Sequence, residues 1–191
     1  MRYPPNQRVS TRSRIVATAS RMFRARGYHD TGVGALMKAA GMTAGGFYAH
    51  FPSKDALFRE SLGAAFHDFR KRLSGEIGGR GSVSASELVR GYFDVEKTAE
   101  AGEGCPIASL APDVARSGEE VRESFEEELR KTAEALAARL QKRGVPGDEA
   151  ALAILALCSG AILLRRAVKS PGIGERILEA CLRFAERAGN R

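Results

Sequence analysis

Between Thr43 and Lys54 the 191-residue chain sets a hydroxyl (Thr43), a phenol (Tyr48), an imidazole (His50) and an ammonium (Lys54) around the paired glycines Gly45 and Gly46. The phenol, imidazole and ammonium can each donate a hydrogen bond to a phosphate oxygen, and N–H groups at helix starts near Thr31 and Ser53 can add to them. The charge distribution points the same way. Residues 1–60 hold 10 Lys/Arg against 3 Asp/Glu, while residues 61–191 hold 20 against 20, so the whole net charge of +7 lies in the first third. A localised basic face suits a polyanionic partner, either nucleic acid or an anionic membrane surface.

Other chemistry finds little support. His29, His50 and His67 are scattered without metal-ligand spacing, and Cys105, Cys158 and Cys181 form no C-x-x-C pair. The glycines at 78–81 and 172–174 lack a preceding strand and the Lys-Ser/Thr of a phosphate loop, and no G-x-S-x-G occurs. No catalytic residue, metal site or cofactor is therefore expected. Cys105 is the one pointed thiol: it precedes Pro106 and follows Gly102 and Gly104, which places it at a helix N-cap where the dipole favours thiolate. An electrophile or oxidant sensor and an inert buried thiol both fit.

The elements that must position these groups are helices. Ala is the commonest residue, Trp is absent, and hydrophobic spacing follows the helical period at nearly every step, which predicts an all-α fold of about nine helices and no strand. Ser10 or Thr11 caps a first helix with Ile15, Ala19, Met22 and Phe23 inward and Arg12, Arg14, Arg21 and Arg24 outward, ending at Gly27. Thr31 caps a second, with Leu36 and Met37 inward and Gly41 as its stop. A third begins at Thr43, and Ser53 caps a fourth striped by Phe58, Leu62, Phe66, Phe69 and Leu73. The Gly-rich stretch 75–82 reads as a loop or hinge, and Ser84/Glu87 and Ser117/Glu120 read as capping boxes. Gly144 and Pro146 separate the helix begun at Ser117 from the apolar helix that follows, and Ser170-Pro171 opens the last, with Ile173, Ile177, Cys181, Phe184 and Ala188 inward.

Two short helices about Ala40-Gly41-Met42 match a helix-turn-helix, with an ordinary helical hairpin as the alternative. The residues decide more than the spacing does. Gly27-Tyr28, Thr31 and the run Gly41-Met-Thr-Ala-Gly-Gly-Phe-Tyr-Ala-His-Phe-Pro-Ser-Lys-Asp-Ala-Leu57 resemble the DNA-binding domain of the tetracycline-repressor-like (TetR/AcrR) regulators. That resemblance implies a homodimeric, ligand-released transcriptional repressor on a palindromic double-stranded operator. It implies a DNA-binding domain over residues 1–55 and a helical ligand-binding and dimerisation domain over 56–191. By the same resemblance Thr43 caps the recognition helix, Tyr48 and His50 touch phosphates, and Lys54 holds another. Ala44 and Gly46 depart from the family pattern, where basic or hydroxyl side chains are common. Gly45 and Gly46 also weaken the short helix by roughly 1 kcal/mol each, with close backbone approach to DNA as the compensating gain. Arg8 and Arg12 either supply phosphate or minor-groove contacts or belong to a solvated tail.

In the neutral remainder, the run 150–164 is apolar all round, and small residues at Ala153, Ala156 and Gly160 admit a second helix, with Ile177, Cys181 and Phe184 completing a two-fold interface. Tyr92, Phe93, Cys105, Leu110, Phe125 and Cys158 are the candidates for contact with a small-molecule effector of unknown identity. Residues 1–10 lack the apolar core of a signal peptide and the run 150–164 is too short to span a bilayer, so a cytoplasmic protein without a membrane partner is expected. From another class, a helical small-molecule enzyme or carrier whose basic N-terminus rests on a membrane or other polyanion remains as the alternative.

Overall fold

The computed structural model describes residues 5–78, 81–140 and 147–189. Among them the chain forms α1 (Pro5–Arg26), α2 (Val33–Ala39), a 3-10 helix (Ala44–Ala49), α3 (Lys54–Ile77), α4 (Ala85–Thr98), α5 (Pro106–Val114), α6 (Glu119–Ala137), α7 (Gly147–Ala167) and α8 (Pro171–Gly189). The only β feature among the described residues is an isolated bridge between Val83 and Leu140, so the expected all-α class and helix count hold.

Packing divides the chain into two compact units, Met1–Asp68 with Glu100–Glu128, and Phe69–Ala99 with Leu129–Arg191. The division expected at residue 55 is therefore not where packing separates the chain. The reason is visible in the first unit's core, where Leu110, Val114 and Val121 are buried in one cluster with Ile15, Phe23, Leu36, Phe47, Phe58 and Leu62. Residues distant in sequence complete the apolar surface that α1, α2 and the start of α3 cannot bury alone. Gly102, at φ +84, lies so close to α1 that a Cβ there would stand 2.3 Å from the Arg21 carbonyl oxygen, which only glycine permits.

In the second unit, α4 opens on the expected capping box: the Ser84 hydroxyl accepts from the Glu87 N–H, and the Glu87 side chain accepts from the Ser84 N–H. These bonds hold the Glu87 carboxyl below its ordinary range. Helix α7 packs on α4 and α8 through Ala151, Ile154, Leu155, Cys158 and Ile162. It runs 21 residues and by length and composition could cross a membrane, which corrects the expectation of too short a segment. Its terminal arginines pair within the unit, Arg165 with Glu175 and Arg166 with Glu96.

Several local expectations are overturned. Helix α1 starts at Pro5, so Ser10 and Thr11 lie inside it; proline suits a first turn and nothing between it and Ser10 breaks a helix. Ser117 does not cap α6, because its hydroxyl donates 2.9 Å back to the Asp113 carbonyl at the end of α5. Gly75 is helical, and α3 ends at Ile77 with Gly78 at φ +64. The described ends of that glycine stretch are tied down, since the Arg139 guanidinium donates to the Gly78 and Gly81 carbonyls at 2.7 and 3.0 Å. Gly79, Arg80, Gly144, Pro146 and the Arg8 side chain lie outside the described residues.

Candidate nucleic-acid interface

The exposed group of Thr43, Gly45 and Tyr48, with half-buried His50 beside it, is assembled by burying its neighbours. Ile15, Ala19 and Phe23 of α1 pack with Leu36 and Met37 of α2. Gly41, at φ +72, then turns the chain, and the Arg14 guanidinium fastens the turn by donating 3.0 Å to the Ala40 carbonyl. Phe47 and Phe51 are fully buried with their rings stacked at 5.8 Å. With Phe47 pointing in, its neighbour Tyr48 points out: it is 74% exposed, edge-on to the Phe47 ring at 5.2 Å.

The reading segment is a 3-10 helix, tighter than the expected α-helix, and its first bond runs from the Gly46 N–H to the Thr43 carbonyl. Gly45 and Gly46 lower the α propensity of six residues that have no length to compensate. Thr43 occupies the N-cap position, but its hydroxyl makes no capping bond and stands exposed. His50 is the half-buried C-cap residue.

Two other sequence-predicted contacts are placed differently. Thr31 is 1% exposed, and its hydroxyl donates 2.8 Å to the Gly27 carbonyl; Gly32, not Thr31, takes the N-cap position of α2. Its hydroxyl is consumed in closing the end of α1. Lys54 is half-buried: its ammonium donates 2.6 Å to the Tyr28 carbonyl and lies 4.1 Å from the centre of the Tyr28 ring. Burial pulls its pKa down, against the opposing pull of Asp55, Asp113 and Asp30. Ser53 caps the helix as expected, its hydroxyl accepting 3.0 Å from the Ala56 N–H.

Tyr28 is thus a node that sequence reasoning missed. Its N–H donates 2.8 Å to Asp113 of α5, its carbonyl accepts from Lys54, and its phenol donates to Asp55. Burial and the Asp55 carboxylate push the phenol pKa well above its ordinary value. No local signal could announce Asp113, which lies 85 residues from the backbone it holds.

The basic face of α1 is partly consumed in structure. Arg12 donates to Glu60 and lies 4.5 Å from the centre of the Phe51 ring. Arg24 is buried and donates to the carbonyls of Ser20 and Gly104, which removes it from the outward face. Arg21, Arg26 and Lys38 are exposed. Lys38, in the last turn of α2, is a further candidate that the sequence reading passed over; its position off the apolar stripe could have marked it.

The six effector candidates divide between the units. Cys105, Leu110 and Phe125 belong to the first, whose core buries Leu110 and packs Phe125 against it. Tyr92, Phe93 and Cys158 are buried in the second, where the Tyr92 and Ser159 hydroxyls meet at 3.1 Å. Cys105 is the N-cap of α5, followed by Pro106, and its sulfur accepts from the Ala108 N–H at 3.3 Å. It is fully buried, which matches the inert buried thiol of the two readings left open by the sequence.

On α7 and α8, Ala153 and Ala156 are exposed, Gly160 has open space where a Cβ would be, and Phe184 is 65% exposed. Ile177 and Cys181 are half-buried, and burial raises the Cys181 thiol pKa. The inward stripe of α8 is Gly174, Leu178 and Ala185, one position round from the Ile173, Ile177, Phe184 and Ala188 stripe expected to face in. A Cβ at Gly174 would stand 3.1 Å from the Arg165 side chain.

Residues 15–61 match the profile of bacterial regulatory proteins of the tetR family, and residues 85–173 match the C-terminal domain of LmrA/YxaF-like transcriptional regulators. The chain is 25% identical over 168 residues to the transcriptional regulator LmrA of Bacillus subtilis (strain 168), covering 84% of this chain and 88% of that protein. It is 28% identical over 115 residues to the transcriptional repressor DhaR of Mycobacterium sp. (strain GP1), covering 60% and 58%. A TetR-family regulator from Cytophaga hutchinsonii shares the fold with a TM-score of 0.78 at 18% identity, over 97% of each chain.

Proposed function

This chain belongs to the tetR family of bacterial regulatory proteins and is a DNA-binding transcriptional regulator; we propose that it acts as a homodimeric repressor, released from an inverted-repeat operator by a small molecule. The observation that carries the reading is the split between adjacent aromatics, Phe47 fully buried and Tyr48 74% exposed, which presents the 3-10 helix outward as a recognition surface.

Thr43, Tyr48 and His50 donate to DNA from this surface, Gly45 and Gly46 let it approach, and Lys54 offers its remaining ammonium hydrogens to a phosphate. Thr31 acts indirectly, by closing α1 and setting the entry to α2. Functionally, residues 1–55 form the DNA-binding domain and residues 56–191 the effector and dimer domain. Ala153, Ala156, Gly160, Ile177, Cys181 and Phe184 lie on or beside the dimer face, supported by the exposure of Leu152, Leu164, Ile173 and Phe184. The effector is a mainly apolar small molecule, because Tyr92, Phe93 and Cys158 offer apolar surface with few polar points. The protein works in the cytoplasm, where its DNA is, and has no enzymatic role.

The test is a gel shift against the DNA upstream of its own gene, with random duplex as competitor. A complex that survives excess random duplex and footprints on two half-sites is expected. Binding that random DNA abolishes and that vanishes with moderate salt would leave only nonspecific polyanion attraction.

A further inference from the structure

The 3-10 helix carries no side chain able to make the bidentate base contacts on which most major-groove readers depend. Its residues are Ala44, Gly45, Gly46, Phe47, Tyr48 and Ala49. From Thr31 to His50, Lys38 is the only Lys or Arg, and there is no Asn, Gln, Asp or Glu. Arg pairing with guanine, or Asn and Gln pairing with adenine, is therefore unavailable to this segment.

The two glycines are not explained by the protein's own packing. Neither Gly45 nor Gly46 has a positive φ. A Cβ at Gly45 would meet nothing within 4 Å, and one at Gly46 only ordinary contacts, 3.7 Å from the Thr43 hydroxyl and 3.8 Å from Met37. Alanine at either position would favour the helix. Gly102 and Gly91 differ in kind, because a Cβ at each would collide with Arg21 or Ile77. Open space alone marks nothing, since Gly63 and Gly118 have it too. What distinguishes Gly45 and Gly46 is that they stand together in a six-residue helix between exposed Thr43 and exposed Tyr48, on the face that meets DNA.

We infer that Gly45 and Gly46 are the surface on which the 3-10 helix seats its backbone in the major groove, and that sequence is read there by the short groups beside them. Those groups are the Thr43 hydroxyl and methyl and the Ala44 methyl. Thymine 5-methyl groups are the base-edge feature such a surface recognises best, because alanine and threonine methyls pack on them. The inference rests on the DNA-binding reading above and adds the class of readout.

The full-length protein is used, with a duplex isolated by repeated selection from a random-sequence pool. Enrichment by wild-type protein comes first, and failure to enrich any duplex would sink the operator reading itself and not the readout. With that duplex in hand, Gly45→Ala and Gly46→Ala are each expected to weaken binding tenfold or more while thermal unfolding is unchanged or rises. Deoxyuridine for thymidine across the half-sites removes only the methyls and is expected to cost about fourfold per contacted base, the transfer value of one methyl. Substituting 7-deazaguanine for guanine, which removes the N7 acceptor, is expected to cost less than twofold. Wild-type affinity in both alanine variants would overturn the close-approach role. Loss of binding with 7-deazaguanine but not with deoxyuridine would overturn the methyl readout.

Discussion

Two outward faces of this protein are built by opposite means. At the 3-10 helix, Phe47 and Phe51 are buried while Thr43 and Tyr48 stand exposed and His50 is half-buried. On α7 and α8, Leu152, Leu163, Leu164, Ile173 and Phe184 are the groups left outside, while smaller residues such as Gly174 and Ala185 fill the inward positions. A face of donors beside a basic helix suits a phosphate backbone, whereas a face of apolar side chains suits another protein surface. The contrast shows that exposure alone says little, and that the chemistry of what is exposed selects the partner.

The largest expected effect is on the apolar face. Phe184→Glu should raise the dimer dissociation constant at least a hundredfold, because a two-fold interface loses the side chain twice, at about 1.5–3 kcal/mol each. Gly160→Leu should lower the dimer fraction without unfolding the protomer, since the space at Gly160 is open. Sedimentation velocity reads both, and unchanged dimers in both variants would end the assignment of this face.

Next comes the support of the DNA face. Asp113→Ala leaves the Tyr28 N–H without its partner and should cost about 1–3 kcal/mol in urea unfolding. Operator and random DNA should lose affinity together, and dimerisation should be untouched. A loss confined to the operator would instead make Asp113 a determinant of sequence readout.

A smaller effect belongs to the start of α4. Ser84→Ala should cost about 1 kcal/mol of stability, measured by thermal unfolding. The Glu87 carboxyl is held below its ordinary range in the fold, so its contribution is present above the unfolded value of about 4.3 and is lost as pH falls through the folded value. Glu87→Gln should remove that part of the acid dependence.

The smallest change sharpens the comparison most. Tyr48→Phe removes one exposed hydroxyl, so stability should move by less than about 0.5 kcal/mol. Affinity should fall about fivefold on operator and random DNA alike, as expected for one phosphate hydrogen bond. An operator-only loss would make Tyr48 a base reader.

Much of this architecture was legible along the chain. The apolar stripe of α3, the glycine stops at Gly27 and Gly41, the cap at Ser53 and the Ser84/Glu87 box follow from local period and cap chemistry. The segment from Gly41 to Leu57 carried the family signature and, within it, the exposed Tyr48. Other roles were not legible, because they depend on what a side chain meets after folding. Arg24 and Thr31 have types that suit phosphate contact, yet backbone carbonyls claim both. Ser117 and Glu120 have the spacing of a capping box, but the serine hydroxyl donates to the Asp113 carbonyl instead.

The sequence by itself determined the helical class, the concentration of positive charge in the first third and the donors around Gly45 and Gly46, because these depend on composition and on neighbours a few residues apart. Tertiary structure alone decided that Asp113 holds Tyr28, that Cys105 is sealed from solvent and that α8 turns Phe184 outward. The physical reason is that a helical period specifies a stripe but not its partner. On α8 the stripe of Ile173, Ile177 and Phe184 is the more apolar along the chain, yet packing turns Gly174, Leu178 and Ala185 inward.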